Sequence, residues 1–275
     1  MTTRKAPAQS ALETVIEAQA VELKLPTIKQ RFRPLAHEAL RQQHGHVEYL
    51  GALFAAETEE RAERRERRRL IEARFPVVKR LEDFRFEDNP AIKPTSVAAL
   101  AEGGWITEGE GLILIGDAGT GKTHLVTALA VAACQQGRRV RFTTLAQLAT
   151  ELQEADSRRE LARVVARYVR VELLVIDELG YLKLPDGAAE LVFQVISERH
   201  ERGALAITTN LPFGEWTKVF PDPRLAQAVV DRVTHRAHII ETGSESWRFR
   251  HRLGSAGRGA RKPPAATRAT EVPGE

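Results

Sequence analysis

The 275-residue chain carries 41 Lys+Arg against 37 Asp+Glu and one cysteine, Cys134. A lone cysteine excludes an intramolecular disulfide and a thiolate zinc centre, and it fits a reducing compartment. No apolar run nears the 18 or more residues of a membrane span, and the opening "MTTRKAPAQS" holds no apolar signal core, so the sequence reads as a cytoplasmic protein without a membrane partner.

Residues 1–80 are net +5, with 16 Lys+Arg against 11 Asp+Glu. Residues 81–247 are net −6, with 18 against 24, and residues 248–275 return to +5, with 7 against 2. An acidic middle between basic ends suggests a catalytic module flanked by segments that meet a polyanion, although basic ends also serve solubility.

Residues 1–80 read as a small all-α domain for partner or DNA interaction. "ALETVIEAQAVELKL" spaces Leu12, Ile16 and Leu23 along a helix that Pro26 interrupts. "EYLGALFAAETEERAERRERRRLIEARF" then predicts one long helix ending before Pro76. Within it Glu57–Arg61, Glu60–Arg64 and Glu63–Arg67 are spaced i,i+4 with the acid first, the favourable order for a solvated helix. Arg65, Arg68 and Arg69 instead follow an arginine four positions earlier. They leave a positive strip that phosphates of duplex DNA could neutralise. No base-reading motif accompanies the strip, so DNA binding would be led by the backbone. His44 and His46 have no further ligand residues nearby and read as loop.

From residue 81 to 252 the pattern alternates. Strands are expected at "GLILIG" (111–116), "RVRFTT" (139–144), "LLVID" (173–177), "ALAITTN" (204–210) and "HIIET" (238–242). Helices are expected near 121–136, 145–155, 158–170, 187–202 and 223–236. Near-continuous apolar strands alternating with helices predict an α/β domain whose parallel five-stranded sheet is covered on both faces. Residues 253–275 lack aliphatic bulk and read as a disordered basic tail.

"GDAGTGKTHL", Gly116 to Leu125, fits the phosphate-loop pattern G-x-x-x-x-G-K-[ST] between a strand and a helix. Gly116, Gly119 and Gly121 let the backbone curl, so that amides across Asp117, Ala118, Thr120 and on to His124 can face phosphate oxygens. Lys122 would reach the β- and γ-phosphates of ATP, and the Thr123 hydroxyl would bind Mg²⁺. In "LLVIDE", Asp177 would share the Mg²⁺ shell and Glu178 would polarise an attacking water. In "AITTN", Asn210 ends a strand expected beside that of Asp177, where it could hold the water or the γ-phosphate.

These motifs, with "LEDFRF" (81–86), "IDELGYL" (176–182), "ISERHERG" (196–203), "TNLPFGEW" (209–216), "DRVTHRAHII" (231–240) and "ESWRFR" (245–250), resemble the IstB/DnaC group of AAA+ ATPases, and IstB-like proteins most. The likeness covers most of 81–250 and extends to "LKLPTIKQRF" and the long basic helix. It implies an AAA+ P-loop domain in which Asn210 is the first sensor and Arg248 the second. It also implies that Arg232 reaches the γ-phosphate of a neighbouring subunit. The function it implies is an ATP-dependent DNA-transposition helper that forms a homo-oligomer on duplex DNA and recruits the transposase of its insertion sequence. A helicase loader of the DnaC type is the alternative. A small-molecule kinase lacks a recognisable acceptor site, and a GTPase lacks an N-K-x-D segment. The sequence departs from the family at Arg85, where an acid is usual, and at Trp247, which replaces a tyrosine.

Overall fold

The computed structural model describes residues 7–243. Arg248, Trp247 and the expected basic tail at 253–275 lie outside the described residues. By its internal contacts the chain divides into two units, with the division between Glu72 and Ala73.

The first unit holds α1 (Pro7–Glu22), α2 (Pro26–Gln42) and most of α3 (His46–Ala73). Pro26, expected to interrupt a helix, opens α2 at its first turn, where a missing N–H costs nothing. That leaves the Thr27 and Ile28 amides needing acceptors, and no side chain at the N-cap, Leu25, supplies one. Glu57 of α3 does: its Oε2 accepts from both amides, at 2.9 and 3.1 Å. Its Oε1 accepts from Arg61 at 2.7 Å. Arg61 also donates to the Lys24 carbonyl, and Arg64 donates to the Thr27 hydroxyl at 2.8 Å.

The first expected ion pair is therefore not a solvated one. Glu57 is 4% exposed and caps a neighbouring helix. The Glu60–Arg64 pair forms as expected, at 3.5 Å. The expected positive strip is also altered, because Arg68 pairs forward with Glu72 at 2.8 Å. His46 belongs to α3 rather than to a loop.

The second unit begins with two 3₁₀ turns (Leu81–Asp83 and Phe86–Asp88), followed by α4 (Pro94–Ala101) and α5 (Gly104–Thr107). Regular alternation then runs β1 (Gly111–Ile115), α6 (Lys122–Gln135), β2 (Val140–Thr144), α7 (Leu145–Ser157), α8 (Leu161–Val169), β3 (Leu173–Leu179), α9 (Asp186–Arg199), β4 (Ala204–Thr209), α10 (Pro223–Thr234) and β5 (Ala237–Glu241). A 3₁₀ segment, Phe213–Lys218, precedes α10. The five strands form one parallel sheet in the order β2-β3-β4-β1-β5, as expected from the alternation. Helix α8 starts three residues later than expected, after Arg159 turns left-handed at φ 59°.

The apolar strands sit in a core built from Leu174, Ile176, Ile113 and Ile207 against helix residues such as Leu148, Val192 and Val229. Among the described residues no helix is long and apolar enough to cross a membrane.

The strand order decides where the chemistry goes. Because β4 lies between β1 and β3, the residues after three adjacent strands meet at one edge. These are the loop from Gly116, the pair Asp177 and Glu178, and Asn210.

Candidate functional site

A cleft of about 620 Å³ opens at the carboxyl ends of these strands. Its polar floor includes Lys122, Thr123, Glu178, Thr208 and Asn210, and its less polar wall includes Val77, Val78 and Phe84. Val77 and Val78 are 59% and 50% exposed, adjacent apolar surface on that wall.

The phosphate loop is held in shape by residues far away in sequence. Gly116 is at φ 153°, and a Cβ there would sit 2.4 Å from Thr242 Oγ1 just beyond β5. The Thr242 and Thr120 hydroxyls are 2.7 Å apart, and the Asp117 amide donates to the Gly243 carbonyl at 3.1 Å. Asn89 Nδ2 donates to both the Thr120 and Thr242 carbonyls at 2.9 Å. Gly121, at φ 92°, has Phe84 so close that a Cβ would lie 3.0 Å from its ring. The His124 ring meets Phe84 edge-on at 5.3 Å. Inside the curl, Lys122 is 8% exposed and donates to the Gly116 and Asp117 carbonyls, both at 2.7 Å. Its cation already lies where phosphate oxygens would enter.

The end of β3 carries a feature the sequence did not announce. Ile176 pairs with Ile207, but Leu179 pairs with Thr209, so β3 has one residue more than β4 in this stretch. This is a bulge, and bulges re-aim side chains at functional sites. Glu178 takes a left-handed backbone at φ 63°, a strained conformation for a non-glycine residue. Asp177 turns inward at 2% exposure, while Glu178 is exposed toward the cleft. Asp177 Oδ1 accepts from the Thr123 hydroxyl at 3.2 Å and also from the Thr208 hydroxyl. Thr208 in turn accepts from the Glu178 amide at 3.0 Å. One hydroxyl thus fixes both acidic positions.

Asn210 follows β4 directly, and its Oδ1 is buried without a hydrogen-bond partner among the described residues. Gly180 makes room for it, since a Cβ there would lie 2.2 Å from that oxygen.

The donor set fits Mg²⁺. Thr123 Oγ1 and Asp177 Oδ1 are hard oxygens already paired at the lip of the loop, with room in the cleft for phosphates to complete the shell. Asn210 lines the same cleft.

Arg232 does not join this cluster. It lies near the end of α10 and lines a different cleft, at the amino ends of β1 and β4, together with Gly111 and Leu205. The length of β1, about 13 Å for five residues, separates that end from its own phosphate loop. Its guanidinium rests 4.6 Å over the Phe193 ring and donates to the Ala228 carbonyl at 3.2 Å. Arg85 lines the nucleotide cleft and sits 3.8 Å from Asp88. Arg65 is exposed on α3 in the first unit, as are Arg68 and, partly, Arg69.

Thr208, Asn89, Thr242 and Gly180 escaped the sequence reading. For Thr208 a signal existed, because "AITTN" places two threonines just before Asn210 at the edge expected to meet Asp177. Arg199 was also missed. It is 1% exposed and donates to the carbonyls of Tyr168 and Ala204, each at 2.6 Å, and Val171, at 3.0 Å. Burial pushes its pKa down to about 10, which leaves it charged at neutral pH. It ties the end of α9 to the segments that start β3 and β4.

Comparison with known proteins gives the family and the fold. The sequence profile of the IstB-like ATP binding proteins matches residues 18–255. A putative insertion sequence ATP-binding protein of Sinorhizobium fredii is 39% identical over 230 residues, 83% of this chain and 77% of that protein. The IS21 putative ATP-binding protein of Pseudomonas aeruginosa is 32% identical over 237 residues, 86% of this chain and 89% of that one. AMPPCP-bound DnaA from Aquifex aeolicus superposes with a TM-score of 0.50 at 21% identity, covering 61% of this chain and 51% of that chain, a likeness of fold.

Proposed function

Since the chain belongs to the family of IstB-like ATP binding proteins, with an AAA+ P-loop fold, we propose that it is a Mg²⁺-dependent ATPase that serves DNA transposition. The observation that carries hydrolysis is the Thr208-centred junction, which aims Glu178 into the cleft while holding Asp177 beside Thr123.

In this reading the purine lies along Val77, Val78 and Phe84, and the phosphates lie in the loop with Lys122 against the β- and γ-oxygens. Thr123 and Asp177 would hold Mg²⁺, which when bound would supply charge neutralisation at the phosphates. Glu178 accepts a proton from the attacking water as the water oxygen bonds to the γ-phosphorus and the bond from that phosphorus to the β–γ bridging oxygen breaks, releasing ADP and phosphate, while Asn210 orients the water. Glu178→Gln should bind ATP yet lose ~10²–10⁴ in turnover, the usual contribution of a general base. Undiminished hydrolysis would remove Glu178 from that role.

Arg232, at the opposite end of its own sheet from the phosphate loop, acts on the nucleotide of a neighbouring copy. Relatives named for insertion sequences support a role beside a transposase and on duplex DNA. There the exposed Arg65, with Arg68 and Arg69, would meet phosphates, and DNA or the transposase would stimulate turnover. Sedimentation of the full chain with ATP and duplex DNA tests this assembly. A large complex is expected, and a monomer under those conditions contradicts it.

A further inference from the structure

Helices α9 and α10 both end at the smaller cleft, the one that Arg232 lines, and each is followed there by a histidine. His200 is the residue after α9 and His235 the residue after α10. Their rings lie tilted at 47° to one another with centroids 5.2 Å apart. Glu201, next to His200, has a left-handed backbone at φ 62°. One ligand atom from each of His200, Glu201 and His235 falls within 4.8 Å of the other two. Nothing in the ATPase chemistry uses these three side chains.

We propose that His200, Glu201 and His235 bind a divalent transition-metal ion of the zinc class, joining the carboxyl ends of α9 and α10 beside Arg232. Two imidazoles and a carboxylate form a donor set that zinc favours and that Mg²⁺, which prefers an all-oxygen shell, does not. Tetrahedral bonds of about 2.0–2.1 Å place ligand atoms ~3.4 Å apart, so no pair of the three need close by more than roughly 1.4 Å. Side-chain rotation supplies this, because Glu201 and His235 are exposed and His200 is half-buried. Two helix carboxyl ends add partial negative charge at the same point.

The nearby arginines are committed elsewhere. Arg199 donates to backbone carbonyls, and Arg236 pairs with Glu108 and Glu110 at 3.3 and 3.1 Å. The fourth position is left to water or to a group from outside. Arg232 precedes His235 by three residues, so an ion here fixes the helix end that carries the arginine. The proposal does not depend on Arg232 acting in trans.

The test is a titration of the full chain with Co²⁺ in excess Mg²⁺, read by the tetrahedral d–d absorption and by equilibrium dialysis. One equivalent should bind. His200→Ala and His235→Ala should each weaken it by more than ~100-fold, beyond the loss expected for an outer-shell partner. His238→Ala and a His44→Ala/His46→Ala variant should bind as the parent does. Zn²⁺ should raise the melting temperature of the parent and not that of the folded His200→Ala/His235→Ala variant. Failure of the parent to take up an equivalent overturns the proposal. So does undiminished binding, or an equal rise in melting temperature, in the double variant.

Discussion

Thr208 donates its hydroxyl to Oδ1 of Asp177, a contact that joins the end of β4 to the buried acid at the end of β3. The same oxygen receives the Glu178 amide at 3.0 Å, so a side chain that the motifs gave no role sets the aim of the acidic pair. Thr208→Val keeps the β-branched shape and removes the hydroxyl. It should cost about 1–3 kcal/mol of stability, because a buried acceptor and an amide lose their partner. Hydrolysis should fall with ATP affinity little changed, since Lys122 and the loop are untouched. Denaturant unfolding and single-turnover kinetics measure the two effects separately.

Gly180 offers a second test of the same junction from the opposite side. Its φ of 125° suits glycine alone, and a Cβ would lie 2.2 Å from Asn210 Oδ1. Gly180→Ala should destabilise by ~1–3 kcal/mol and displace Asn210 from the cleft. Turnover should drop while nucleotide binding persists. Wild-type turnover by a folded Gly180→Ala variant would show that Asn210 need not hold its observed place.

The stability of the first unit should depend on pH through Glu57. Burial raises the Glu57 pKa, but the bonds from Arg61 and from the Ile28 and Thr27 amides outweigh it, and the net result lies below the ordinary carboxylate value. A depressed folded pKa means that the carboxylate's stabilisation is complete above the unfolded value and is lost as pH falls through the folded one. The helices should therefore loosen in acid, below about pH 4.5, the ordinary value for this group. Glu57→Gln should cost about 1–2 kcal/mol at neutral pH, as loss of a charged helix cap does, and should blunt the acid transition. Circular dichroism against pH for both forms decides it.

What the sequence disclosed followed from local pattern. Apolar runs such as "GLILI" and "LLVI" give strands because they must be covered on both faces, and the observed strands match the expected ones within a residue or two. The phosphate loop and the acidic pair were legible because their chemistry needs fixed residue types at fixed spacing. What remained hidden depends on contacts across the sheet. The β3 bulge that separates the paths of Asp177 and Glu178 appears only when β3 is laid against β4. Asn89 and Thr242 support the loop from 31 and 122 residues away from Thr120. On α3 the upstream i,i+4 pairs were countable, but the forward pairing of Arg68 with Glu72 was overlooked, and the burial of Glu57 under α2 needed the tertiary structure.

In the proposed assembly, the ATP held by one copy is hydrolysed with the arginine of another. Glu178→Gln subunits lack the base but keep Arg232, and Arg232→Ala subunits lack the arginine but keep the base. The decisive measurement is ATP turnover on duplex DNA across a series of mixing ratios of these two inactive variants. Activity should return in the mixtures and peak at intermediate ratios, where intact interfaces form between unlike subunits. Mixtures as inactive as either variant alone, in assemblies shown to contain both, would show that Arg232 does not act across subunits.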